Sequence, residues 1–228
     1  MEIFRPDLRG AVAELALRYP PGEMFTDPLH LILWENIGYL IDDERRAILF
    51  KEFAARVGLT SSQIAAAEGE TLLDIAHRGG MRPETRVQRW RDIAGIVTFR
   101  AGGDLAGALK ALPLAKARAL LKAFPTIGDP GADKILLFAD IAVRPALESN
   151  GVRALARLGF FMEGRDYGAS YRAAIEALVR HGDPDRDWLI TAYQVLRAHG
   201  QTLCKRATPI CLPCPLDTTC AHAVVVRL

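Results

Sequence analysis

Three observations predict an all-α protein. Apolar residues recur three and four positions apart along almost the whole chain. Good helix formers, Ala, Leu, Arg and Glu, dominate between the breaks. No run of alternating β-branched residues is flanked by hairpin turns, so little or no sheet is expected. With 228 residues the chain can bury a sizeable core in one large or two small bodies. Hydrophobic residues make up 50% and charged residues 25%, an ordinary globular balance, and the formal charge of +2 is too small to name a polyanionic partner.

The elements follow from local signals. Ala11, Leu15, Ala16 and Leu17 form an apolar helical stripe that stops at Tyr-Pro-Pro-Gly, residues 19–22. Asp27 and Pro28 open a helix with a capping side chain and a first-turn proline. Thr60-Ser61-Ser62 caps another, and Gly79-Gly80 and Gly102-Gly103 close two more. Segments 115–123 and 171–180 carry the same period, and about ten helices in one or two lobes are expected. The start of the chain has no apolar segment of the secretory kind, and no apolar run approaches a membrane span. The expectation is a soluble, cytoplasmic protein, nucleoid-associated in a bacterium.

All the cysteines, Cys204, Cys211, Cys214 and Cys220, fall near the C-terminus, spaced Cys-x6-Cys-x2-Cys-x5-Cys. A disulfide framework would be spread along the chain and suits an oxidising compartment, so the clustering points to a metal site. Four converging thiolates hold either a zinc ion or a 4Fe–4S cube. Zinc sites usually use two Cys-x2-Cys knuckles or one knuckle with a histidine pair, and the single knuckle here suits the larger cluster better. Between the first two cysteines, Lys205 and Arg206 put cations on a loop suited to phosphates, or simply on a solvated one. The five histidines show no ligand spacing; His77, His181 and His199 read as surface or helix-end residues, and His222 is not needed as a ligand.

Residues 124–132, Phe-Pro-Thr-Ile-Gly-Asp-Pro-Gly-Ala, lie between two helical segments. A tight turn ending at Gly128 would aim the N–H groups of the next helix at an anion. This segment and the cysteine spacing together resemble endonuclease III and its relatives, the helix–hairpin–helix superfamily of DNA glycosylases with a C-terminal iron–sulfur cluster. The resemblance implies that the hairpin, with Thr126, Gly128, Gly131 and Lys134, grips a DNA phosphate. The first hairpin glycine of that family is Thr126 here. It also implies two helical lobes: a six-helix barrel-like lobe over 28–136, with the helix–hairpin–helix at about 116–136 beside the cleft, and an iron–sulfur lobe from 1–27 plus 137–228, with the cluster loop at 204–220.

The resemblance further implies site residues. Bifunctional members carry a Schiff-base lysine where this chain has Pro130, so a monofunctional enzyme is expected; Lys134 lies one helical turn further on. The family's second carboxylate falls eighteen residues later, at Glu148, in a Leu-Glu-Ser-Asn segment that includes Asn150. Glu148 would stabilise an oxocarbenium sugar or position water; otherwise it is a helix N-terminal acid complementing the dipole. Glu35, in the nearly apolar helix 31–40, falls on the catalytic glutamate of the adenine-mismatch glycosylases. There it would hold a proton and act as general acid, or serve as a structural Glu paired with an arginine. Tyr39 and Leu40 would wedge into the stack, and Trp34 would stack in the pocket or pack in the core. The implied function is a monomeric DNA glycosylase of base excision repair, flipping and hydrolysing a damaged or mispaired base from duplex DNA. A catalytically inactive DNA-binding relative and a bifunctional lyase using Lys134 are the alternatives.

Overall fold

The computed structural model describes residues 7–226, and among them every regular element is a helix. In order these are α1 (Leu8–Arg18), α2 (Pro28–Asn36), α3 (Asp43–Arg56), α4 (Ser61–Ala66), α5 (Gly69–Arg78), α6 (Pro83–Ala101) and α7 (Leu105–Ala111). They continue with α8 (Leu114–Leu121), α9 (Asp129–Phe138), α10 (Ser149–Arg157), α11 (Tyr167–His181), α12 (Arg186–Thr202) and α13 (Ala221–Val226). The sequence suggested about ten helices. Three of the thirteen, α4, α7 and α13, have only six or seven residues, fewer than two turns, and so show no readable period. No helix among the described residues is long and apolar enough to cross a membrane.

Local chemistry sets the boundaries. Asp27 accepts from the N–H groups of Leu29 and His30, and Pro28 follows at the first helical position of α2. Thr60 and Gln63 cap α4 reciprocally. Gly102, at φ +58°, ends α6 in the left-handed conformation. α1 stops at Tyr19, ahead of the two prolines that cannot extend it.

The chain divides into two compact units, residues 25–142 and residues 1–24 with 143–228. In the first, α6 packs on α2, α4, α5 and α7. Its Trp90 is fully buried against Phe53, ring centroids 4.7 Å apart, with Leu31, Ile32, Leu33 and Ile93 buried in the same unit. The indole Nε1 is not wasted: it donates to the Asn36 carbonyl at 3.2 Å. In the second unit, α1 closes a core with α10, α11 and α12, built from Leu8, Val12, Leu15, Val152, Leu155, Leu178, Val195 and Leu196. Cys204, Cys214 and Cys220 pack against the edge of this core.

Candidate functional site

In residues 25–142 the hairpin joins α8 to α9. Thr126 sits at φ +65°, the left-handed region that glycine takes freely and a β-branched residue rarely does. Its hydroxyl donates to Asn36 Oδ1 at 3.2 Å. Asn36 Nδ2 in turn donates to the carbonyls of Ile32, at 3.0 Å, and Pro125, at 3.1 Å. The turn is therefore pinned to the end of α2. Gly128 caps α9 with no side-chain bond, and a Cβ there would meet nothing closer than 3.8 Å, so its lack of a side chain leaves the helix start open. Gly131 lies tight against Ile127, 3.3 Å from where a Cβ would stand. The two hairpin helices are stapled by Arg118, whose Nε and Nη2 reach the buried Asp133 at 2.8 and 3.2 Å. Arg118 and Lys122 also reach Asp129, in the first turn of α9, at 3.1 and 2.7 Å.

The same unit brings Glu35 and Lys134 together. Lys134 Nζ lies 2.6 Å from Glu35 Oε1, linking α9 to α2. The lysine side chain is 5% exposed and the glutamate 35%, so the carboxylate faces outward with the ammonium behind it. The sequence suggests either a protonated general acid or a Glu paired with an arginine; the partner of Glu35 here is a buried cation, but it is Lys134. Trp34 is half-buried in an aromatic cluster with Phe25 at 5.6 Å and Phe50 at 5.7 Å, and the Arg46 guanidinium lies 5.8 Å from its ring. Tyr39 and Leu40 follow α2 and are exposed.

In the other unit Glu148 is the N-cap of α10. Its Oε1 accepts from the Gly151 N–H at 2.9 Å and its Oε2 from Asn150 Nδ2 at 2.8 Å. Asn150 Oδ1 accepts from Arg153 Nη2 at 2.8 Å, and Arg153 goes on to the carbonyls of Gly200 and Cys204. A continuous polar chain thus runs from Glu148 to the first cysteine. Tyr167, on α11, is 47% exposed, and partial desolvation first and the Glu148 charge second raise its phenol above the usual value.

The four cysteines form no disulfide and are all half-buried. They line one small cavity of about 20 Å³. Arg157 Nη1 points at Cys204 Sγ, 3.5 Å away, and also donates to the Lys205 carbonyl at 2.7 Å, while Nη2 donates to the Arg206 carbonyl at 2.9 Å. The side chains of Lys205 and Arg206 are exposed. Burial, then the neighbouring sulfurs, drives Cys214 up to about 11, and burial raises Cys220 as well. His199, read from the sequence as a surface or helix-end residue, lies in the last turn of α12 but is 3% exposed. Its Nε2 lies 3.9 Å from Cys214 Sγ, and burial holds the ring down to about 4. Among the described residues no group of three or more His, Cys, Asp or Glu is arranged to hold a metal ion.

No protein-family profile and no curated protein matches the chain. Solved structures do. Endonuclease III trapped as a covalent intermediate with DNA, in an estranged-adenine complex, superposes with a TM-score of 0.74 at 18% identity, covering 96% of each chain. A non-covalent endonuclease III–DNA complex gives the same TM-score and identity over 96% of this chain and 95% of that one. A thermostable thymine-DNA glycosylase gives 0.71 at 13% identity over 94% and 95%. The chain has the endonuclease III fold.

Within the endonuclease III fold, several residues that shape the candidate sites were not singled out by the sequence. Asn36 offered a signal, an amide in an apolar helix next to Glu35. Arg118 and Asp133, fifteen residues apart, and Arg153 and Arg157, reaching some fifty residues ahead, offered none, because only tertiary packing chooses such partners.

Proposed function

We propose that the chain is a DNA glycosylase of base excision repair that hydrolyses a base from duplex DNA without a lysine-dependent lyase step. The observation that carries the glycosylase part of this reading is the likeness, over 96% of the chain, to endonuclease III bound to DNA; the absence of a lyase step rests on the residues of this chain. A lyase needs a neutral amine that attacks the sugar. Pro130 supplies none, and Lys134 is ion-paired with Glu35, which works against a free nucleophile. Glu35 is the reacting carboxylate. Its outward face stabilises the positive charge that grows on the sugar as the C1′–N bond breaks, takes the proton of the water that bonds to C1′, and passes a proton to the nitrogen of the departing base. Lys134 is a positioning residue that fixes the carboxylate from behind. Glu148, with Asn150 holding one of its oxygens, is the second carboxylate on the family pattern. Thr126, Gly128 and Gly131 form the phosphate-gripping hairpin, with Tyr39 and Leu40 as wedge residues.

We further propose that Cys204, Cys211, Cys214 and Cys220 hold a 4Fe–4S cluster. The donor chemistry supports this, although the thiols are not arranged around a single metal ion: four of them line one cavity, none is oxidised to a disulfide, and a guanidinium N–H points at one sulfur. Bound there, the cluster would take all four sulfurs as thiolates. The cluster stiffens the loop bearing Lys205 and Arg206; iron and sulfide analysis of protein purified without oxygen tests it.

The decisive experiment is a panel of duplexes carrying uracil, mismatched thymine, alkylated purines, hypoxanthine and oxidised bases. Wild type should release one or more of these bases, and Glu35→Gln should lose about 10²–10⁴-fold in rate while still binding DNA. Glu148→Gln is expected to lose release as well. Full activity in Glu35→Gln removes that residue from the mechanism. Binding without release from any duplex identifies a catalytically inactive relative. A borohydride-trapped adduct abolished by Lys134→Ala makes the enzyme a lyase.

A further inference from the structure

Residues 25–142 contain a second feature, lying outside the Glu35–Lys134 pair. A cavity of about 350 Å³ opens between the turn after α2 and the start of α6. Arg82, Arg86, Arg89 and Thr85 line it, with Tyr39, Leu40 and Met81 as its apolar rim. No carboxylate is among the lining residues. Arg86 is committed to the fold: buried, it donates to the Ala76 carbonyl at 2.6 Å and the Met81 carbonyl at 2.9 Å. Among the described residues Arg82 and Arg89 have no acidic partner within ion-pair distance. Glu84, two residues from Arg82, and Asp92, three from Arg89, are the nearest acids in sequence, and neither lines the cavity. Burial, followed by the charges of Arg89 and Arg46, presses the Arg86 guanidinium below its usual value, as expected where positive charge accumulates without neutralisation.

The backbone adds to this field. α6 is nineteen residues long and starts with no side-chain cap, because Arg82 occupies the cap position and Pro83 follows it. The first N–H groups of the helix therefore receive no side-chain cap, and Glu84 is the one acid in its first turn. The rim is fixed rather than loose. The Tyr39 N–H donates to the Gly79 carbonyl at 2.9 Å, and Gly80, at φ +93°, could not take a side chain without striking the Tyr39 carbonyl. Leu40 and Arg82 both sit at positive φ, +55° and +58°. Guanidiniums, a hydroxyl and a bare helix start converging on one cavity make an oxyanion site.

We propose that this cavity holds a backbone phosphate of the DNA, gripped by Arg82 and Arg89. The oxyanion chemistry rests on the cavity alone; DNA as its source rests on the proposed function. The test uses Arg82→Asn, which tolerates the left-handed backbone, combined with Arg89→Gln, in the full chain, with native melting as the check on folding. Affinity for an undamaged fluorescent duplex is measured across a salt series, alongside NMR titration of the arginine Nε–H signals with inorganic phosphate. The expected result is weaker DNA binding at every sequence, with the log–log salt slope reduced by about 0.9, the loss of one phosphate contact. Phosphate should shift Arg82 and Arg89 signals in wild type. An unchanged slope in a folded double variant overturns the proposal. Phosphate binding without any DNA binding overturns DNA as the source. Wild type that binds DNA with the full slope but releases no base defeats the glycosylase reading and leaves this site standing.

Discussion

Thr126 takes a left-handed turn that its side chain resists, and Asn36 is what makes this tolerable. A left-handed conformation costs an ordinary residue about 1–2 kcal/mol, and the hydroxyl bond to Asn36 returns about 0.5–1.5 kcal/mol. Thr126→Ala keeps the strain and loses the bond, whereas Thr126→Gly loses the bond and the strain together. In denaturant titrations the alanine variant should therefore be the least stable of the three, about 1 kcal/mol below the glycine variant. Equal midpoints for the two variants would show that the turn is not strained. The hairpin was legible because its prolines and glycines stand at fixed offsets between two helical segments. Its anchor was not, since an asparagine in an apolar helix announces only that some partner exists. Glu35 was legible in the same limited way: its position stood out, but the buried ammonium of Lys134, ninety-nine residues away, did not.

At the scale of elements, capping signals translated directly into structure at Asp27–Pro28, Thr60 and Gly102, because each acts on neighbours within one turn. Links between helices did not. α3 and α5 are joined by an exposed charge cluster in which Arg56 contacts Glu52 at 2.7 Å and Asp74 at 2.5 Å, and Arg78 contacts both acids. The bond to Arg78 foremost holds Glu52 below its ordinary 4.5, and the bond to Arg56 holds Asp74 below 3.8. Both folded values are depressed, so the cluster's stabilisation is present above the ordinary carboxylate values and is lost as pH falls through the folded ones. Thermal melts of wild type and Glu52→Gln/Asp74→Asn should differ at neutral pH by a small margin, as exposed pairs contribute little, and converge under acid. A gap that widens on acidification contradicts the assignment. α10 makes a different kind of link: Glu148 caps its start while Arg153 and Arg157 hold the cysteine loop near its end. A change at Glu148 thus acts on the loop as well as on any chemistry, which is why release and DNA binding must be read separately in Glu148→Gln.

For the molecule as a whole, the all-α class was legible from period and composition, and the grouping of the four cysteines around one cavity from their spacing. The division into residues 25–142 and the two flanking segments depends on α1 returning to pack with α10, α11 and α12, which no local pattern encodes. That division predicts where loss of the cysteine centre will be felt. Cys204, Cys214 and Cys220 pack on the core of the unit built from both ends of the chain, and the loop between them has few backbone bonds of its own: Ile210 to Leu203, Cys214 to Cys211, Asp217 to Cys214, and Thr219 and Cys220 to Leu216. A segment with so few internal bonds draws its order from what it is tied to. Cys214→Ser should therefore raise amide exchange across 204–220 and at the C-terminal turn of α12, where His199 abuts Cys214, while α2 to α9 keep wild-type protection. Hydrogen-exchange mass spectrometry resolves the two units directly. Unchanged protection in the loop would mean that the thiols hold nothing. Equal loss throughout 25–142 would mean that the two units unfold as one, against the separation of their cores.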